Sequence, residues 1–355
     1  MRILILGAGG FIGRAILSEL ASHGHEVIAL VRSGSAARLA AQGVRCVELD
    51  LARAVRVEDW ARLLAGIDQV INAAGLLRGA GMEAVHVAMP RALHEAARAA
   101  GVRRIVLVSA ISAREDVPTD YARTKLAGEA ELRGSGLDWT ILRPSLVYGE
   151  GSYGGTSLLR GLAALPWFVP VPGDGHFAFS PIHLRDLARS VRTVCEDERF
   201  AGCTLDPCGP ETLPVRDLLA RYRSWLGLGR ARLLPVPLAL MRLLGRLGDL
   251  AGAGPVSTNS LVQLVAGNGG DGARFAREIG FAPRSLDAAL RDSPAQVQDR
   301  WHARLFFLAP VVRWVLALLW LASAVLGFGW GGEQALSRSA RMARPAICSF
   351  SGPIS

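Results

Sequence analysis

The first half of the chain alternates between short apolar runs of strand length and longer stretches with apolar residues at helical spacing. Residues 1–6 and 26–31 are such runs, and residues 14–20 between them have the helical pattern. Another helix is predicted from Pro90 to a stop at Gly101. Repeated strand and helix units predict an α/β domain, a doubly wound parallel sheet with helices on both faces.

A glycine-rich turn lies between the first predicted strand and the first predicted helix. Its sequence is Gly7-Ala8-Gly9-Gly10-Phe11-Ile12-Gly13. Glycines permit a tight turn and let backbone N–H groups approach a pyrophosphate, which the positive end of the helix attracts. This context predicts a Rossmann-like dinucleotide-binding domain over residues 1–150, and a turn of purely structural use is the alternative.

The end of the second predicted strand carries Arg32 and Ser33. An acidic residue at this position accepts the ribose 2′-hydroxyl of NAD, whereas a cation pairs with the 2′-phosphate of NADP. Arg32, with Arg14 just after the glycine turn, therefore favours NADP(H) over NAD(H). The alternative is that Arg32 only faces water.

One lysine stands among 39 arginines. That lysine, Lys125, follows Tyr121 by four residues, so the two side chains share one face of a helix. An ammonium group is a compact charge with a tunable pKa, unlike a guanidinium group, and a nearby cation lowers the pKa of a tyrosine. The pair predicts a shared chemical site, and an ordinary surface lysine beside a packed tyrosine is the alternative.

Several motifs follow one another in a recognisable order. After the glycine turn come Asn72-Ala73-Ala74-Gly75 and the Tyr121 to Lys125 pair, and together they resemble the short-chain dehydrogenase/reductase superfamily. Its atypical branch includes the nucleotide-binding accessory subunit of respiratory complex I. Residues similar to that branch are Val106–Ala110, Gly136–Ser145 and Pro181–Asp186. The resemblance covers about residues 1–295 and is specific for the fold, not for a substrate.

This resemblance implies roles for three side chains. The superfamily's tyrosine is the general acid/base that protonates a carbonyl oxygen as hydride arrives from the nicotinamide, which implies that role for Tyr121. Lys125 is then expected to hold the nicotinamide ribose and to lower the tyrosine pKa. Ser109 is expected to orient the substrate oxygen. Because the family hydroxyl commonly lies one or two residues further on, Ser112 is a second candidate.

The resemblance also implies a set of cofactor contacts. Asp50 and Leu51 correspond to the position near the adenine, and a capping role for Asp50 is the alternative. Pro144 is expected beside the nicotinamide, or else it only terminates a strand. The expected contacts are Gly7, Gly9, Gly10, Phe11, Ile12, Gly13, Arg14, Arg32, Asp50, Leu51, Ala73, Ala74, Gly75, Lys125 and Pro144.

Composition narrows the classes of function. The formal net charge is +9, but the arginines are scattered and aromatic residues are few, which argues against nucleic-acid binding. The five cysteines form no CxxC pair, so neither a metal site nor a disulfide framework is predicted, and a reducing cytoplasm fits. No signal peptide is expected before the first strand.

Residues 151–300 are predicted to form a smaller substrate region. Leu165–Pro170 is an apolar segment that suits either the wall of a pocket for a quinone or lipid-like carbonyl, or plain core packing. Leu238–Leu247 has two arginines on an apolar helical pattern. That pattern suits either an anionic membrane surface or packing within the domain.

The last apolar segment predicts a membrane anchor. Residues 305–330 contain one charge, Arg313, and their length approaches the roughly 20 residues that a spanning helix needs. They resemble the first helix of a DoxX-like membrane module, which is here expected to be truncated, and a buried globular helix is the alternative. Residues 331–355 are predicted to be a disordered tail. The expected location is the cell membrane, with the nucleotide-binding domain in the cytoplasm.

These features predict an NADP(H)-binding oxidoreductase that acts on a small carbonyl or quinone-like substrate. The main alternative is a non-catalytic nucleotide-binding accessory or assembly protein of a respiratory or quinone-related membrane complex. An epimerase or dehydratase that retains NAD and acts on a nucleotide sugar is disfavoured by Arg32.

Overall fold

The computed structural model describes residues 1–34, 36–41, 43–151, 154–230, 232–250 and 257–327. The chain divides into two compact units, Met1–Ala303 and a second that begins at Arg304. All residues of the candidate site lie in the first unit. The predicted tail at 331–355 and the end of the predicted membrane segment lie outside the described residues.

Strands and helices alternate along the chain. The strands are β1 (Arg2–Leu6), β2 (Glu26–Val31), β3 (Arg45–Glu48), β4 (Gln69–Asn72), β5 (Arg104–Val108), β6 (Asp138–Leu142), β7 (Val147–Tyr148), β8 (Phe168–Pro172), β9 (Ala178–Phe179), β10 (Ile182–His183), β11 (Cys203–Leu205), β12 (Leu213–Pro214) and β13 (Arg232–Val236). The α-helices are α1 (Phe11–Ser22), α2 (Ala36–Ala40), α3 (Glu58–Ala61), α4 (Met89–Ala99), α5 (Asp120–Arg133), α6 (Gly155–Ala163), α7 (Leu184–Glu196), α8 (Val215–Trp225), α9 (Leu238–Leu250), α10 (Thr258–Ala266), α11 (Gly272–Ile279), α12 (Leu286–Asp292) and α13 (Val297–Leu326). A π-helical turn, Ala84–Ala88, precedes α4, and a 3-10 turn spans Glu198–Phe200.

Seven strands form a central parallel sheet in the order β11-β6-β5-β4-β1-β2-β3. β1 pairs with β2 on one side and with β4 on the other, so the winding reverses between β1 and β4. Open α/β sheets bind ligands at the carboxyl ends of the strands, at such a reversal. The predicted doubly wound sheet is confirmed. Gly7, Ala73 and Ser109 share its carboxyl edge because they follow β1, β4 and β5.

Alternate residues of β1 pack on opposite faces of the sheet. Ile3 and Ile5 are buried with apolar residues of α1 and α7, whereas Leu4 and Leu6 are buried with residues of α3 and α4. A parallel sheet covered on both faces buries every residue of its central strands. This double burial is the reason that the first strand is an unbroken apolar run.

The region after residue 150 is not built apart from the sheet. β11 pairs with β6 and extends the central sheet at its edge. The apolar segment predicted as a pocket wall contributes to β8, in which Val169 is buried in a core cluster. Core packing therefore accounts for Val169, whereas Trp167 just before β8 is 80% exposed.

The C-terminal helix α13 does not pass as a membrane span by itself. Within the described ranges, no single helix is long and apolar enough to cross a bilayer. The two halves Val297–Ala309 and Val311–Leu326 have the length and apolar composition of a span only when taken together, and the helix axis bends by 44° between them. The break falls at Pro310, and a proline inside a helix removes a backbone hydrogen bond and kinks the axis.

Candidate functional site

The glycine turn joins β1 to α1, and its backbone lies too close to neighbouring backbone atoms for side chains to fit. Gly7 has φ +75°, and the N–H of Gly10 donates to its carbonyl oxygen at 2.9 Å. A Cβ added to Gly13 would lie 2.2 Å from that same oxygen, and one added to Gly7 would lie 3.0 Å from the Cα of Ala74. The backbone is therefore packed too closely for side chains. The N-terminus of α1 begins directly beyond Gly10, which is exposed.

This arrangement fits a dinucleotide pyrophosphate. A helix N-terminus offers unpaired N–H groups and a positive dipole end to an anion. Gly9, Phe11 and Ile12 are half-buried around the turn, and Arg14 is exposed on the first turn of α1. The predicted pyrophosphate contacts thus lie together at the carboxyl edge of the sheet.

The tertiary structure adds a carboxylate at the predicted ribose position. Arg32 and Ser33 are exposed after β2, which agrees equally with a cofactor contact and with the alternative that Arg32 only faces water. β3 lies beside β2, with Glu48 paired to Val31, and the Glu48 carboxylate accepts the N–H of Gly34 at 3.2 Å. The sequence reasoning saw no acidic group here because Glu48 comes from the neighbouring strand. The end of β2 therefore has both a cation, Arg32, and a neighbouring carboxylate, Glu48.

The predicted adenine contacts have local structural duties. The Asp50 carboxylate accepts the N–H of Ala52 at 3.1 Å and lies 3.5 Å from the Arg53 guanidinium. Leu51 is buried in the core under β1 and β2. The capping alternative for Asp50 agrees with this turn, and contact of either residue with an adenine stays a prediction.

Tyr121 and Lys125 lie on one buried face of α5. The helix begins after Thr119, whose side chain accepts the N–H of Ala122, and its second turn places the ammonium of Lys125 against the end of β5. Lys125 Nζ donates to the carbonyl oxygen of Val108 at 3.2 Å. A Cβ on Gly75, which follows β4, would lie 3.2 Å from the same nitrogen. Lys125 therefore joins α5 to the carboxyl ends of β4 and β5.

His86 completes this cluster and was missed by the sequence analysis. It lies in the π-helical turn before α4, and its ring packs edge-on to that of Tyr121 with centroids 5.9 Å apart. Its Nε2 accepts the N–H of Leu76 at 3.0 Å. In the neutral ring, the proton is then on Nδ1, which donates to Thr124 Oγ1 at 2.8 Å. The histidine ties the loop after β4 to α5.

Burial dominates the protonation behaviour of these three groups. Desolvation raises the pKa of Tyr121 to about 12 and lowers the pKa of Lys125 to about 8. Desolvation and the Lys125 charge lower the pKa of His86 to about 3. The expectation that Lys125 depresses the tyrosine pKa was wrong for this chain, because burial disfavours the phenolate and raises that pKa.

Ser109, the expected substrate-orienting hydroxyl, is directed at a carboxylate. Its Oγ donates to Glu129 Oε1 at 2.6 Å, and Glu129 is fully buried. The same carboxylate accepts Arg143 Nε at 2.9 Å and Arg133 Nη2 at 3.0 Å. Contact of Ser109 with a substrate stays a prediction. Ser112, the second candidate, is also buried.

Pro144 follows β6 at the same edge of the sheet. It is buried, and its carbonyl oxygen accepts the N–H of Ile111 at 3.0 Å. This hydrogen bond joins the segment after β6 to the segment after β5. A proline has no N–H to give to a strand, so its position just beyond β6 also agrees with strand termination.

A cavity of about 400 Å³ lies elsewhere in the first unit. Its walls include Tyr148, Arg160, His183 and Trp225, and none of the predicted site residues contributes to them. His183 caps α7, because its Nδ1 accepts the N–H of Arg185 at 3.3 Å. The candidate site is therefore assigned from the predicted residues at the carboxyl ends of the strands, and not from this cavity.

Sequence comparisons place the chain in a known family. The profile of a family described as NAD(P)H-binding matches residues 7–161. A 3-diazoavenalumate denitrifying reductase of Streptomyces is 34% identical over 274 residues, which cover 69% of this chain and 88% of the reductase. A ceramide reductase of Caulobacter vibrioides is also 34% identical, over 54% of this chain, and the chain spans only 60% of its length.

A respiratory protein is also similar. The alpha subcomplex subunit 9 of mouse mitochondrial NADH dehydrogenase (ubiquinone) is 26% identical over 74% of this chain and 70% of the subunit. Among solved structures, an NADPH-dependent quinone oxidoreductase from Escherichia coli superposes with a TM-score of 0.64, at 21% identity, over 82% of this chain and 99% of that protein. At that identity, the superposition shows the fold alone. The chain belongs to the NAD(P)H-binding Rossmann family that includes these reductases and the complex I subunit.

Proposed function

We propose that the chain is an NADP(H)-dependent reductase of a small carbonyl or quinone-like substrate. The observation that carries the proposal is the convergence of Tyr121, Lys125 and His86 at the carboxyl edge of the sheet, beside Gly75. A bound dinucleotide would supply hydride at that edge. The glycine turn would hold its pyrophosphate, and Lys125 its nicotinamide ribose.

The protonation state of Tyr121 favours reduction over oxidation. With a pKa of about 12, the phenol keeps its proton at neutral pH. It can therefore give that proton to a carbonyl or quinone oxygen that gains negative charge. The neutral His86 ring packs against Tyr121 and fixes the segment after β4. Alcohol oxidation would need the phenolate of Tyr121 as general base, and little phenolate is present at neutral pH.

NADP(H) is the proposed cofactor, and the proposal rests on Arg32. A guanidinium pairs with a phosphate through two N–H donors, which an exposed arginine at the end of β2 provides. Glu48 reduces this preference without supplying the carboxylate at the strand end that NAD-binding members use. A dual cofactor preference with NADPH favoured is the expected outcome.

Different observations support the proposed substrate class and the proposed membrane location. The names of two relatives and one structural neighbour refer to ceramide, ubiquinone and quinone, which are hydrophobic molecules. The described part of α13 exposes apolar side chains such as Leu318 and Trp320. We propose that α13 associates with the cell membrane and that the first unit faces the cytoplasm.

The test is NADPH oxidation by the full chain with a panel of quinones, aldehydes and ketones. Tyr121→Phe removes the acid and should lower kcat by roughly 100-fold to 10,000-fold, while NADPH affinity changes less than about twofold. Tyr222→Phe is the matched control, because the Tyr222 hydroxyl is buried in another core without a hydrogen-bond partner in the described chain. Equal turnover of Tyr121→Phe and wild type would overturn the assignment.

A second function, a non-catalytic accessory subunit, is favoured by two observations. The complex I subunit is similar over most of the chain, and the Ser109 hydroxyl is engaged by Glu129 instead of being free for a substrate. The dissociation rate of NADPH separates the two functions. Release faster than about one per second is compatible with turnover. Release over hours, with no oxidation by the panel, supports the accessory role.

A further inference from the structure

Helix α9 is packed with its apolar side outward. Its buried position is Gly245, where an added Cβ would lie 3.1 Å from the backbone nitrogen of Thr258 at the start of α10. The exposed fractions of its outer leucines are 44–53%. These leucines are Leu240, Leu243, Leu244 and Leu247. The spacing i, i+3, i+4, i+7 places all four on one face, so the helix buries a glycine and presents a leucine stripe to solvent.

The strand before α9 adds to the same exposed segment. In β13, Leu233 and Leu234 are 43% and 47% exposed, and they pair with Val169 and Pro170 of β8. Phe168 at the start of β8 is 46% exposed. Trp167 precedes it and, as noted above, is largely exposed. We call the exposed apolar side chains of 167–168 and 233–247 the leucine surface.

Core packing does not explain the leucine surface. A helix that serves only the fold turns its apolar face inward. Apolar side chains exposed singly are ordinary, whereas several exposed together on one face mark an interaction site. The exposed leucines of α9 and β13 therefore point to a partner.

The charges around the leucine surface identify the chemistry of that partner. Four exposed arginines lie between residues 230 and 249: Arg230, Arg232, Arg242 and Arg246. The acidic group in that range is Asp249, whose carboxylate accepts the N–H of Thr258 at 3.3 Å. A twofold contact with a second copy would bring like charges together, which is unfavourable. Anionic phospholipid headgroups complement both the arginines and the leucines.

We propose that the leucine surface docks on the face of an anionic phospholipid bilayer, independently of α13. The leucines of α9 and the Trp167 ring would enter the boundary between headgroups and acyl chains, as the apolar face of an interfacial helix does. The arginines have long apolar stems that let their guanidinium groups stay at the phosphates. The first unit thus has its own contact with the membrane, whether or not α13 spans it.

The test is hydrogen exchange of the full chain with vesicles of phosphatidylcholine and phosphatidylglycerol, with pure phosphatidylcholine vesicles, and without lipid. Backbone amides of 233–247 should exchange about tenfold more slowly on the mixed vesicles only. This local readout is needed because the proposed association of α13 with membranes would also bring the chain to the vesicles.

Two variants separate the apolar and charged parts of the surface. Leu243→Glu with Leu247→Glu should abolish the protection, whereas Arg242→Gln with Arg246→Gln should leave about a twofold to threefold slowing that is more sensitive to salt. Val55→Glu is the control, because Val55 is a similarly exposed apolar residue outside the leucine surface, at 41%. All three changes are at exposed positions, so the fold is retained.

Four results would overturn the proposal. They are an unprotected segment in vesicle-bound protein, equal protection on pure phosphatidylcholine, protection that survives the paired glutamates, and no association with mixed vesicles. A fifth would reassign the surface to a second copy. That result is a loss of dimers in sedimentation, without lipid, when the paired glutamates are introduced.

Discussion

At the scale of single residues, Lys125 differs from the chain's buried arginines, such as Arg104 and Arg160, in carrying a cation that can titrate. Lys125 is 6% exposed, and its ammonium lies among α5, β5 and Gly75. A buried guanidinium stays charged, whereas an ammonium there titrates, and the pKa of Lys125 falls to about 8. The lysine can therefore lose its proton within the physiological range.

The pKa of Lys125 predicts an alkaline limit of function. NADPH affinity and turnover should fall as pH rises through about 8, because the ammonium loses its charge there. The free energy of unfolding should instead rise with pH between this pKa and the unfolded value of 10.5. In that range the unfolded chain still holds the proton that the folded chain has lost. The measurement is the NADPH dissociation constant from pH 7 to 9.5.

Lys125→Arg and Lys125→Met are the controls for this limit. Arginine keeps its charge, so the fall above pH 8 should disappear even where overall affinity is lower. Methionine has no charge to lose, so it should weaken binding most below pH 8 and show no alkaline fall. An unchanged alkaline limb in the arginine variant would contradict the assignment of the limb to Lys125.

The buried carboxylate of Glu129 predicts a large stability loss on neutralisation. Glu129→Gln leaves Arg143 and Ser109 without their anion and should lower the free energy of unfolding by about 3–5 kcal/mol. Urea unfolding measures this loss. Arg133→Gln is the matched control. It removes a half-exposed partner of the same carboxylate, 38% exposed, and should cost less than about 1 kcal/mol.

Arg32 and Glu48 predict opposite changes in cofactor preference. Arg32→Glu should lower the NADPH to NADH affinity ratio by roughly 10-fold to 100-fold, because a charge-assisted contact with the 2′-phosphate is replaced by repulsion. Glu48→Gln should raise that ratio by a smaller factor. Competition binding measures both, and Arg98→Gln on the exposed end of α4 should leave the ratio unchanged. An NADPH to NADH affinity ratio that stays unchanged in Arg32→Glu would contradict the proposed preference for NADP(H).

At the scale of elements, the turn between β1 and α1 depends on a contact that a methyl group would break. Gly13→Ala places a Cβ 2.2 Å from the Gly7 carbonyl oxygen and should weaken dinucleotide binding by at least about tenfold. Gly24→Ala is the control, since Gly24 has φ +81° but no neighbour within 4 Å. It should cost about 1 kcal/mol of stability and no affinity. Calorimetric binding with parallel unfolding curves separates the two effects.

The element that sequence reasoning could not find is the π-helical turn. Val85-His86-Val87 has the appearance of the start of an apolar helix, and a lone histidine in such a run is more often a core residue than a functional one. The extra residue of the turn rotates His86 toward Thr124 and Leu76. The sequence did contain one indication of a role for His86. It is a histidine between two valines, and it lies between the Asn72 to Gly75 motif and Tyr121.

At the scale of the whole molecule, cofactor binding should stabilise the first unit as a body. The glycine turn, the end of β4 and α5 all contribute to the candidate site, so NADPH should raise the melting temperature of the unit. At a concentration 100 times the dissociation constant, the gain is about 2.7 kcal/mol, or roughly 4 °C. Thermal unfolding with NADPH and with NADH at the same concentration measures it. Equal shifts would contradict the predicted preference.

The sequence by itself determined the order of strands and helices, the glycine turn and the pairing of Tyr121 with Lys125. Each of these depends on local spacing: period-two or continuous apolar runs, helical repeats, and residues four apart on a helix. Such features need only neighbours along the chain.

Only the tertiary structure decided which distant groups meet. β3 carries Glu48 to the end of β2, α5 turns Ser109 toward Glu129, and burial raises the pKa of Tyr121 that the neighbouring lysine was expected to lower. It also decided that α9 packs on Gly245 and leaves its leucines exposed. Desolvation and cross-strand contact depend on atoms brought together by folding, and no pattern of local spacing contains them.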